Sequence, residues 1–245
     1  MLRGARALAV GMASVITLVA CGDDGESSSP PPVPTTVAPT TSTTLSQIQL
    51  DQQKARRVVL TVVDVPGYTE DAPAPSDEID PETEAAVLAC LNSDPLTLRL
   101  GDEADARGVD GPDFSKGDDT VSSSVTFGAT EDEARASMTA LNATSFPACF
   151  SRALSAGLRK DGTLTNVIVT TTKLPAITAG DQSVGFRSVL RFRAEGTAVT
   201  VNAENTFIRS GRGLSVLAVT TVTTPFPAAE RTRLVTTIAG RMAAP

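Results

Sequence analysis

Apolar residues along this chain fall into three regimes. Residues 7–20 form an almost unbroken apolar run, interrupted by Gly11, Ser14 and Thr17. Residues 22–46 hold almost nothing to bury. From Gln47 onward, apolar positions recur with helical or alternating period, the two periods that mark helix and strand.

Over residues 47–63, Ile48, Ala55, Val58, Val59 and Val62 recur at near-helical spacing. A helix is predicted there, running into the turn that Pro66-Gly67 forces. A second helix is predicted over 81–92. Pro81 suits its first turn, Ala85, Leu88, Ala89 and Leu91 line one side, and Cys90 falls in the last turn. Residues 99–119 are polar and Gly-rich and predict a loop. Val121, Ser123, Val125 and Phe127 alternate, giving a strand over 120–127. Thr130 then N-caps a helix that opens Glu131-Asp132-Glu133, suited to the positive end of the helix dipole, and runs to about Leu141. After Pro147, a helix over 148–158 carries Cys149.

From Leu164 the period changes to that of strands, first over 164–173. Strands over 183–193 and 197–208 flank Glu195-Gly196, a two-residue hairpin turn. Pairing Ala194 with Thr197 sets the register. Phe192 then faces Val199, Leu190 faces Val201 and Ser188 faces Ala203, forming one apolar face. On the other face Arg187 lands opposite Glu204, a favourable cross-strand pair. A slip by one residue would put polar groups among those apolar positions. Ser210-Gly211 predicts a further turn into a strand over 214–223, with Phe207 opposite Leu214 and Asn205 opposite Val216. Residues 227–242 predict a closing helix with Leu234, Ile238 and Met242 on one stripe, assigned to cover the Phe192/Leu190 face. Sequential strands with short turns imply an α+β fold with an antiparallel sheet of about five strands packed with helices.

Composition narrows the chemistry. Residues 47–245 suffice for one well-buried domain. The net charge of −7 hides an asymmetry. Residues 64–133 hold 19 acidic and 3 basic side chains, whereas residues 134–245 hold 5 and 13. Such halves can attract each other across one fold, or present a basic surface to anionic wall polymers or headgroups. Overall negative charge and few aromatic residues argue against nucleic acid. The chain has no His and no Trp. Ser-His-Asp and Cys-His sites are therefore excluded. None of Lys54, Lys116, Lys160 and Lys173 sits in an SxxK motif, and no phosphate-cradling glycine motif occurs. Acidic clusters at Asp102-Glu103-Asp105 and Asp118-Asp119 are read as solvated loop charge, with a cation site or a carboxylate pair as the functional alternatives. Arg187, Arg191 and Arg193 share one strand face, and Arg209 and Arg212 flank a turn. They are candidates for an anion-binding patch, against salt bridges such as Arg187–Glu204. No cofactor and no metal site is expected.

The N-terminus carries the most specific signal. Arg3 and Arg6 precede the apolar run, which has the length of a signal-peptide core and falls short of the ~20 residues that span a bilayer. Leu18-Val19-Ala20-Cys21 resembles the lipobox of bacterial lipoproteins. That resemblance implies cleavage before Cys21 and a diacylglyceryl thioether on its sulfur, the nucleophile that accepts the lipid. An ordinary secretory signal and an uncleaved anchor are the alternatives. Behind Cys21, residues 22–46 read as a disordered Ser/Thr/Pro tether, at about 3.1 Å per residue able to reach roughly 80 Å. With Cys21 acylated, Cys90 and Cys149 remain. Two cysteines in an exported domain predict one structural disulfide, with a redox pair or a metal site as alternatives that the lack of CxxC and His disfavours.

Scarce lysine beside abundant Arg, Ala, Val and Thr points to a high-GC genome. The stretch from Leu60 through Asp64, Pro66 and Gly67 to Thr69 resembles the "LTxxDLPxGWT" opening of exported proteins from high-GC Gram-positive bacteria, with Val65 and Tyr68 in place of Leu and Trp. Cys149, then Gly180-Asp181 through Gly185 and Arg187, then Gly211-Arg212-Gly213, then a last helix with Arg241-Met242, is similar to small extracytoplasmic sensor domains. These include the external domain of some receptor-type serine/threonine kinases and related envelope lipoproteins, and their α+β architecture resembles the Mog1/PsbP-like fold. The resemblance implies a non-catalytic ligand- or partner-binding module, and no binding residue carries over from it. The expectation is therefore a lipoprotein on the outer face of the cell membrane, partnered with the membrane through Cys21 and with an envelope ligand or protein. The alternatives are an envelope assembly factor acting by protein contacts and a carboxylate-based hydrolase.

Overall fold

The computed structural model describes residues 45–71, 81–92, 105–160 and 162–244. The export signal, Cys21, all but the last two residues of the tether, and Asp102 and Glu103 lie outside the described residues.

Helix α1 spans Gln47–Val58. Ser46 caps it reciprocally: its hydroxyl accepts the Gln49 N–H, and the Gln49 side chain accepts the Ser46 N–H at 2.8 Å. The helix stops short of the predicted residue 63. Val59 turns extended, the Leu60 N–H goes to Ser123 Oγ (2.8 Å), and residues Val62–Asp64 form a separate 3-10 turn held by Asp64. Apolar spacing alone does not reveal that the backbone hydrogen bonds have been claimed by the sheet. Helix α2 spans Pro81–Leu91, α3 spans Glu131–Asn142 with Thr130 as its cap, and α4 spans Phe146–Lys160. α4 begins before the predicted start because Pro147 fits inside a first turn, where its missing N–H costs nothing. Helix α5 spans Ala228–Ala243.

Among the described residues eight strands form one antiparallel sheet, more than the five or so expected. They are β1 (Thr69–Glu70), β2 (Val109–Asp110), β3 (Phe114–Lys116), β4 (Asp119–Phe127), β5 (Leu164–Lys173), β6 (Gln182–Ala194), β7 (Thr197–Ser210) and β8 (Gly213–Val222). The order is β1-β3-β4-β8-β7-β6-β5, and β2 also pairs with β4. The additional strands are β1, β2 and β3, two or three residues each and too short to show a period; the last two lie in the stretch expected to be loop.

The β6–β7 hairpin has the predicted register, Ala194↔Thr197 through Phe192↔Val199 and Arg187↔Glu204. Glu195 and Gly196 both take positive φ, as a type I′ turn requires. The β7–β8 turn differs. Gly211-Arg212 are its central residues, so Phe207 faces Val216 and Asn205 faces Ala218 rather than Leu214 and Val216. A shift of two residues keeps every side chain on its expected face.

Helices cover both faces. Phe186, Leu190, Phe192, Val201 and Val169 meet α3 and α4, whose Met138, Leu141, Phe146 and Ala153 are buried there with half-buried Leu154 and Leu158. Val121, Val125, Phe127, Ile208, Leu217 and Val219 on the opposite face meet α1 and α5 through Ala55, Val58, Leu234, Val235 and Ile238. The closing helix thus covers the face opposite to Phe192/Leu190. β7 is apolar on both sides, Val201 on one and Ile208 on the other, so its pattern could not choose between them. A disulfide joins Cys90 at the end of α2 to Cys149 in α4, with Cα atoms 5.6 Å apart. No helix among the described residues is long and apolar enough to cross a membrane.

Candidate functional site

Three buried carboxylates anchor the α1/α5 face, each held by arginine side chains. Asp51 of α1 accepts from Arg107 (3.0 Å), Gln47 (2.9 Å) and both terminal nitrogens of Arg212, which also donates to Gly128 O. Asp64 accepts a bidentate pair from Arg241 (2.7 and 2.9 Å) and the Thr61 N–H (2.8 Å), while Arg241 also reaches Val59 O. Burial alone would raise both carboxyls. The bonds from Arg212, Gln47 and Arg107 in one case, and from Arg241 and Thr61 in the other, outweigh it and hold both below the usual carboxylate range. These networks fasten α1 and the turn after it to the rest of the fold.

The third carboxylate is Glu204 on β7, only 2% exposed. Its Oε1 accepts from Arg187 of β6 and its Oε2 from Arg231 of α5, each at 2.7 Å. Arg231 lies in the first turn of α5 and is 4% exposed, yet its Nε has no hydrogen-bond partner. Asn202, two residues earlier on the same face of β7 and also 4% exposed, leaves its Nδ2 without a partner. Two guanidiniums therefore share one carboxylate beside two orphaned donors.

This trio borders an open half of the sheet. α5 lies over β7 and β8, while Ile168 (58% exposed), Thr170 and Thr172 of β5 and Arg191 of β6 stand in solvent on the same side. The register sets Thr172, Arg187 and Glu204 in one row, Thr170, Val189 and Asn202 in the next, and Ile168, Arg191 and Thr200 in a third. Arg187 is 27% exposed and connects the buried trio to this surface.

The arginines that the sequence grouped thus have separate fates. Arg209 is occupied by Gln182, Gly211 O and Asp181, Arg212 by Asp51, and Arg193 by Gly196 O. Arg187 pairs with Glu204 as expected, and Arg191 makes no hydrogen bond or ion pair among the described residues. Arg231 and Asn202 were missed. Arg231 had a readable signal: it lies three residues before Leu234 and seven before Ile238, a charge on the apolar stripe of the last helix.

The acidic clusters gather less. Asp118 lies in the β3–β4 turn and Asp119 opens β4, where burial and then Asp118 push it up against the Val222 N–H and Lys116. Asp113 is raised by burial and by Asp71, with the Ser122 hydroxyl opposing. Among the described residues no group of three or more His, Cys, Asp and Glu side chains could hold a metal.

These features define an α+β domain with helices on both faces of an antiparallel sheet, one disulfide, and a cationic, donor-rich opening beside its last helix. No protein-family model matches the chain, and no curated protein matches it significantly. Among solved structures, the extracellular domain of PknH from Mycobacterium tuberculosis matches with a TM-score of 0.41 and 11% identity, covering 78% of this chain and 95% of that one. So loose an overlap carries no argument about ligand or mechanism.

Proposed function

We propose that this chain is a lipid-anchored, non-catalytic binding module of the cell envelope, sensor-like in role, and that the open sheet face beside α5 is its binding surface. The observation that carries the reading is the Arg187–Glu204–Arg231 trio. Both oxygens of Glu204 are engaged, yet Arg231 Nε and Asn202 Nδ2 beside it have no partner, and Arg187 connects them to solvent-facing residues. The lipobox-like Leu18-Val19-Ala20-Cys21 and the tether support a position outside the membrane.

Photo-crosslinking tests it. A photoreactive residue at Thr170 in intact cells is expected to trap a repeatable envelope species, while the same probe at exposed Asp132 on α3 traps none of it. Failure to recover any product specific to position 170 would sink the proposal.

A further inference from the structure

We infer that the open face is an oxyanion site, taking a phosphate or carboxylate group between Arg187 and Arg191 against Asn202. The inference rests on the binding role proposed above and names the chemistry of its ligand. Both oxygens of Glu204 are already engaged, one by each arginine, so the trio carries one positive charge in excess. The exposed groups there can all donate, Arg191 through its guanidinium and Thr170 and Thr172 through their hydroxyls, and they lie over the unpartnered Asn202 Nδ2 and Arg231 Nε of the interior. A neutral apolar ligand would cover the exposed donors without satisfying them, and a cation would be repelled. An oxyanion supplies several lone pairs and one negative charge, and guanidinium forks match its planar or tetrahedral edges. Arg231 also stands in the first turn of α5, at the positive end of the helix dipole. The acids of this region are engaged or distant in the fold: Glu230 is held by Arg233 at 2.7 Å, Asp119 has Lys116 beside it, and Glu195 lies out in the hairpin turn.

The test is calorimetric titration of the full chain, extracted in mild detergent, with inorganic phosphate, glycerol phosphate and acetate at fixed ionic strength against chloride. Saturable binding of at least one oxyanion is expected. Arg191→Gln, which breaks no hydrogen bond or ion pair among the described residues, should weaken it about tenfold or more, the scale of one charge-assisted hydrogen bond. Arg135→Gln on α3 should leave it unchanged. Preference for glycerol phosphate would assign an esterified phosphate, and preference for inorganic phosphate the free ion. No binding above chloride, or equal binding by Arg191→Gln, would overturn the inference. If crosslinking from Thr170 still succeeds in that case, the binding role stands with a ligand of other chemistry; if both are silent, both fall.

Discussion

Arg231 shows how much one buried charge constrains. It is fully desolvated, and Glu204 is its charge partner. Removing that carboxylate leaves two guanidiniums facing each other across the sheet–helix interface. Breaking a buried pair in this way typically costs about 3–5 kcal/mol, whereas replacing the whole pair by apolar groups is often neutral. Glu204→Gln is therefore expected to lower the urea midpoint strongly, and Glu204→Leu combined with Arg231→Met to restore much of it. Equal losses in both variants would contradict this account. Asp51 and Asp64 set the acid limit of the fold. Their folded values lie below the ordinary carboxyl value of about 3.9. A lowered carboxyl contributes stability that is full above the unfolded value and is lost as pH falls through the folded one. Asp51→Asn should be well below wild type in urea midpoint at pH 7, and the gap should close as the pH drops below about 4.

Among the elements, α2 depends most on a single bond. It lies between two stretches outside the described residues, packs on α4 through Val87 and Leu91, and is clasped there by Cys90–Cys149. Loss of a native disulfide typically costs about 2–5 kcal/mol. Replacing both cysteines by serine should speed amide hydrogen exchange in α2 well before it changes exchange in β6 and β7. Uniform acceleration across the sheet would show instead that the bond serves the whole fold. The β6–β7 hairpin is the opposite case. Its register was legible because Glu195-Gly196 allows one turn type and the alternating residues allow one face. The turn into β8 lies one residue later than expected, which moves the register by two, because Gly211 takes the first central position of the turn with its positive φ rather than the second.

At the scale of the whole molecule, the sheet is protected at its long edge. Strand β5 gives its Thr171 N–H to Ser151 and its Val167 carbonyl to Arg159, both from α4, which occupies backbone groups that would otherwise recruit another strand. The proposed lipid at Cys21 would hold this folded body outside the bilayer. Two or three acyl chains anchor stably where one binds only reversibly. Cys21→Ser should therefore move the protein from the membrane pellet to the soluble fraction, and retention in the pellet would rule out the lipid anchor.

What the sequence determined by itself was local: the alternation of β4 to β8, the cap at Thr130, the Ala194–Thr197 register with its Arg187–Glu204 pair, and the cysteine partners. The first three follow from neighbours in the chain or from counting across a two-residue turn, and the cysteine pair from there being two cysteines in the domain. Tertiary structure decided the rest. It placed α4, not α5, on the Phe192/Leu190 face, because both faces of β7 are apolar and only competition among helices selects between them. It added β1, β2 and β3, whose few residues have no period to read. It also assembled the candidate site. Arg187 and Glu204 were legible as a hairpin pair, but Arg231 reaches them from 27 residues beyond Glu204, and only packing brings that helix over the sheet.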